Sequence, residues 1–75
     1  MFALIGVNIS RNQYRIIMDG INDISYLRGL VASYPVPSDQ VIYLGMDAVQ
    51  FRTPDGQTHE VSICSQEYVE GLGVK

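Results

Sequence analysis

The stretch "FRTPDGQTHEV", residues 51–61, decides how the C-terminal half of the chain folds. The fixed φ of Pro54 suits the first corner of a type I turn, and Gly56 can take the left-handed conformation that follows. Together they define a three-residue loop, Pro54-Asp55-Gly56, closed by a bulge. That register sets Phe51 against His59, Val49 against Val61, Gln50 against Glu60 and Arg52 against Thr58. Apolar pairs then share one face and polar pairs the other. A two-residue Asp-Gly turn would set Phe51 against Glu60 and mix the faces. A slip of one residue turns every side chain over, so the pattern selects the longer loop.

Toward the N-terminus, Ala3, Ile5, Val7 and Ile9 alternate, as do Tyr14, Ile16 and Met18. Folding at residues 10–13 pairs Ile9 with Tyr14, Val7 with Ile16 and Ile5 with Met18, all on one face. The rival is a long helix from Ser10 to Tyr34, because Ser10 and Gln13 have capping-box spacing. Gly20 and the β-branched pair Ile16-Ile17 disfavour it, and the hairpin is preferred.

"NDISYLRGLVASY" predicts a helix over residues 23–34. Asn22 is its expected cap and Asp23 suits its N-terminal dipole. Ile24, Leu27, Leu30, Val31 and Tyr34 form its apolar stripe, and Pro35 stops it. "YPVPSD" reads as a stiff connector rather than a ligand for a proline-recognising module. "QVIYLG" is apolar on both sides, which predicts an inner strand covered on both faces or partly covered by a partner. The tail "SQEYVEGLGVK" reads as a helical turn begun by Ser65 and ended near Gly71, with a final strand possible. The fold class expected is therefore α+β. One small antiparallel sheet has elements in the order ββαβββ, with one helix on one face and a short C-terminal helical turn.

The 75 residues correspond to one domain, residues 1–75, and a chain of this size has a thin core. The single cysteine, Cys64, allows no internal disulfide, and one Cys with one His cannot complete a closed zinc site. Docking on another protein or self-association would add the missing burial. The net charge of −3 includes five scattered basic residues, which make no nucleic-acid footprint. Eight dispersed acidic residues are likewise too few to mimic DNA. "MFALIGV" is too short to cross a bilayer and lacks a preceding cation, so it reads as a strand. Together with the lone cysteine it implies a cytoplasmic protein and no membrane partner.

Candidate chemistry is sparse. His59 could be a general base or ligand, but catalysis needs neighbours, and alternation turns Glu60 and Cys64 to the opposite face. Its expected role is that of a half-buried partner of Phe51. Cys64 reads as a small buried hydrophobe, with no cation beside it to activate the thiol. Asp19, Asn22 and Asp23 lack the calcium-loop pattern and read as turn and cap residues. Gly71 and Gly73 make no phosphate cradle, since no helix with Lys-Ser/Thr follows. No cofactor or metal is expected.

The tyrosines are the most interface-like group, because the ring is amphipathic. Tyr26 lies off the helix stripe, and Tyr68 sits between Glu67 and Glu70. Tyr26, Tyr68, Glu67 and Glu70 are the expected binding residues, offering aromatic anchors and an acidic rim to a basic protein partner. The function expected is a non-enzymatic protein-binding module. Lone acidic domains of this length are common among phage or mobile-element inhibitors of host defence, such as anti-CRISPR proteins. No motif carries that likeness, which is an analogy of size and charge. The alternative is a small oligomer holding a nucleotide or other small ligand between subunits. An enzyme using His59 at such an interface is a weaker third reading.

Overall fold

Pro54, Asp55 and Gly56 fold the chain back as their turn chemistry dictates. Thr53 N–H donates to the Gln57 carbonyl at 2.9 Å, and Gly56 takes φ of +87°. Phe51 therefore faces His59, Val49 faces Val61 and Gln50 faces Glu60, the register that segregates apolar from polar pairs. The two strands so joined belong to a five-stranded antiparallel sheet in a computed structural model that describes residues 1–36 and 38–72. Pro37, the second proline of "YPVPSD", and the possible final strand at residues 73–75 lie outside the described residues.

The elements are β1 (Phe2–Asn8), β2 (Gln13–Ile21), α1 (Ile24–Ala32), a 3-10 turn (Ser38–Gln40), β3 (Val41–Leu44), β4 (Ala48–Arg52), β5 (Thr58–Ser65) and α2 (Gln66–Leu72). The chain thus has the α+β order ββαβββα, and the strands lie in the order β2-β1-β5-β4-β3. One face of the sheet packs against α1, burying Leu4, Val49 and Val61 with Leu27 and Val31 of the helix. The opposite face packs against α2, where Val69 meets Ala3 and Ile5. Full burial of a Val, Leu or Ile side chain is worth about 1.5–3 kcal/mol, and partly buried side chains such as Ile17, Phe51 and Ile63 on the α1 side and Val7 and Ile16 on the α2 side pack around these contacts.

The N-terminal hairpin forms, but its register differs from the expected one. Val7 pairs with Tyr14 and Ile5 with Ile16, and the loop is residues 9–12 rather than 10–13. The Asn8 side chain accepts the Arg11 N–H at 3.1 Å, and Asn12 adopts φ of +54°, a conformation asparagine tolerates. Further along, Leu4 pairs with Met18, which leaves Ile17 as an extra residue and brings both Ile17 and Met18 toward the α1 core.

Helix α1 is shorter than the expected 23–34 at both ends. Asp23, not Asn22, is its cap: its backbone is extended and its carboxylate accepts the Ser25 N–H at 2.9 Å. At the other end the Ser33 hydroxyl donates to the Gly29 carbonyl at 2.8 Å, and Pro35 keeps the next turn from forming. Ser65 caps α2 as expected, accepting the Tyr68 N–H at 3.1 Å.

The larger correction concerns β3. It is an edge strand, not an inner one, and Ile42, Tyr43 and Leu44 are exposed. The central position falls to β5, whose eight residues pair with β1 on one side and β4 on the other. Four residues of β3 close only the β4 side. Among the described residues no helix is long and apolar enough to cross a membrane.

Candidate functional site

Residues 41–46, "VIYLGM", carry no charge. Pairing with β4 uses one edge of β3 and leaves the other open. The Gly45 N–H donates to the Ala48 carbonyl at 2.8 Å. Alternation along an antiparallel pair then turns the N–H and C=O of Leu44 away from β4, toward solvent. Around this open backbone stand Ile42 at 51 %, Tyr43 at 55 %, Leu44 at 58 % and Met46 at 69 % exposure. The other exposed large apolar side chains among the described residues are Met1 ahead of β1, Ile9 and Tyr14 beside the β1–β2 turn, Tyr26 on α1 and Tyr68 on α2.

On the α1 side the strip continues into a groove of about 470 Å³ lined by Arg28, Ala32, Leu44, Gly45 and Met46. The charge at its rim is internally matched, since Arg28 Nε meets Asp47 Oδ1 at 2.8 Å. That partly exposed pair adds little stability, but it leaves the groove without an uncompensated charge.

The opposite edge of the sheet has a different character. β2 carries Arg15 and Asp19, its pairing with β1 is irregular at two places, and Gly20 takes φ of +65°. The Gly20 N–H is also occupied, donating to Gln66 Oε1 at 3.0 Å. Charges, bulges and cover are the usual means of keeping an edge from pairing. β2 uses all three. β3 has one irregularity, at Ile42, and no charge.

The four expected binding residues are exposed but are not brought together. Tyr26 is on α1, while Tyr68, Glu67 and Glu70 are on α2, across the sheet from it. His59 stands where the hairpin register places it, stacked on Phe51 with centroids 5.5 Å apart, and Phe51 stacks in turn on Tyr34 at 5.8 Å. Glu60 points to the other face, where it accepts the Gln50 amide at 2.6 Å. Cys64 packs on the α2 side, away from His59, and partial burial pushes its thiol pKa up.

The aromatic stack forms one wall of a half-open cleft of about 290 Å³ over β2, β1, β5 and β4, with Arg15 at its rim. Among the described residues no group of three or more His, Cys, Asp and Glu could hold a metal ion. The two-sided apolar character of residues 41–44 predicts burial, whereas the structure leaves Ile42, Tyr43 and Leu44 exposed at the sheet edge. No local sequence signal sets β3 at the edge; its place follows from the strand order, in which it pairs with β4 alone. Comparison of the chain with protein-family models, curated proteins and solved structures finds no match.

Proposed function

We propose that the protein is a non-enzymatic binding module that takes up an extended, uncharged protein segment along the open edge of β3. The observation that carries this reading is the combination of outward-facing Leu44 backbone groups with the exposed, uncharged strip of Ile42, Tyr43, Leu44 and Met46. Strand addition uses such an edge, with main-chain hydrogen bonds giving affinity and side-chain contacts giving selectivity. An inhibitor encoded by a phage or other mobile element is one role for such a module, on the analogy of size and charge alone.

The test compares baits. Wild-type protein, Leu44→Lys, and a Tyr26→Ala/Tyr68→Ala double variant are used side by side to capture proteins from a lysate, each checked for a native circular dichroism spectrum. Loss of the captured species with Leu44→Lys and retention with the tyrosine variant is the expected outcome. The reverse pattern would return the binding site to the two helices and overturn the edge reading.

The cleft beside His59 favours a second reading, a small ligand with a flat ring and an anionic group. Arg15 would meet the anion and the His59-Phe51 stack the ring. Its volume is at the lower end of ligand pockets, and it forms within a single chain. Thermal shifts with adenosine monophosphate, adenosine and inorganic phosphate would test it. A rise with the nucleotide alone, abolished in Arg15→Ala, is expected if this reading holds.

A further inference from the structure

We infer that the segment taken up by β3 is β3 of a second copy of this chain, paired antiparallel about a two-fold axis to form one continuous ten-stranded sheet. This rests on the docking role of the β3 edge and names its occupant. The chemistry of the edge selects the partner. Residues 41–46 contain no acid or base, and the bordering charges Arg28 and Asp47 are matched to each other. A basic or acidic partner surface would lose water at this strip and gain no counter-charge. An equally uncharged apolar strand loses little, and the chain itself supplies one.

Antiparallel pairing makes the strip self-complementary. In a two-fold interface each residue contact occurs twice, so one short strand contributes both sides of the ladder. The outward Leu44 N–H and C=O of each copy gain partners, and the exposed apolar side chains flanking them are covered from both chains. Met46 and Leu44 of one copy then lie against the groove between Ala32 and Gly45 of the other. The contrast between the edges makes the association closed. β2 is blocked by Arg15, Asp19 and the bond from Gly20 to Gln66, so a dimer paired through β3 offers no second open edge for growth.

The experiment uses the pure full-length chain. Sedimentation equilibrium from micromolar to millimolar concentration measures mass, and hydrogen exchange measures the Leu44 amide. Expected are a concentration-dependent rise to twice the chain mass, no larger species, and an at least tenfold slower exchange of the Leu44 amide in the dimer than on dilution. Leu44→Lys and, separately, Ile42→Lys are expected to keep the wild-type circular dichroism spectrum and remain monomeric. Both sites are more than half exposed, so the monomer fold tolerates the change.

A chain that stays monomeric at millimolar concentration overturns the self-pairing, and the comparison of lysate baits then decides separately whether a different protein uses the edge. A dimer in which Leu44 exchanges freely, or which survives both lysine variants, places the interface elsewhere and overturns this inference as well.

Discussion

At Gly56 the backbone has φ of +87°, and nothing lies within 4 Å of where a Cβ would stand. The cost of an alanine there is therefore conformational alone. Gly56→Ala should lower stability by about 1 kcal/mol or more, because alanine resists a positive φ. Gly29 also has open space around the missing Cβ, but it lies inside α1. There the same exchange should raise stability by about 0.5–1 kcal/mol through helix propensity. Urea denaturation of both variants at one fixed protein concentration reads the two signs. Shifts of the same sign would rule out the bulged turn or the helical Gly29. Beside Gly56, the Asp55 carboxyl is held below its ordinary value of 3.8, first by the Thr53 hydroxyl that donates to it. Partial desolvation opposes this, and the Gln57 and Asp55 amides and the charge of His59 reinforce it. A depressed folded pKa contributes stability above the unfolded pKa and loses it as pH falls through the folded one. The stability gap between wild type and Asp55→Ala should therefore close as pH falls below 3.8. Urea midpoints at neutral and acid pH measure it, and a pH-independent gap would show that the ionised carboxylate is not what orders the turn.

Single elements were legible in the sequence where local chemistry and face pattern agreed. The β4–β5 register followed from Pro54, Gly56 and the segregation of Val49, Phe51, His59 and Val61. The helix followed from Leu27, Leu30 and Val31, and the start of α2 from Ser65. The β1–β2 register was less legible because Ile17 and Gly20 break the period-two pattern, and an alternating apolar run fits two registers that differ by two residues equally well. The position of β3 was not legible because burial in a sheet and burial against a partner select the same side chains. The candidate edge therefore required the strand order, which no local signal encodes. Helix α2 shows how little holds one element. Its buried residue is Val69, which packs on Ala3 and Ile5. Val69→Ala should cost about 2 kcal/mol, and exchange should accelerate first in the α2 amides. Uniform acceleration over α1 and the sheet would mean that α2 is integral to the whole cooperative unit rather than docked on it.

Across the whole molecule, charge and docking surface are uncoupled, and this gives salt dependence a diagnostic sign. Each chain carries a net charge of −3, whereas residues 41–46 carry none. Two copies meeting at β3 gain no attraction from charge at the interface and feel a mutual repulsion at longer range. Salt shortens the range of that repulsion, from about 30 Å at 0.01 M to about 8 Å at 0.15 M ionic strength. Self-association should therefore become faster and tighter as salt is added. A basic protein docking beside Glu67 and Glu70 would behave in the opposite way, since its association is speeded by attraction that salt screens. Sedimentation equilibrium and dilution kinetics across a sodium chloride series distinguish the two. Stronger association in salt that is lost in Leu44→Lys fits the uncharged edge. Association weakened by salt would mean that charge contributes to the contact, and the acidic face of α2 would then be the surface to map by Glu67→Gln and Glu70→Gln.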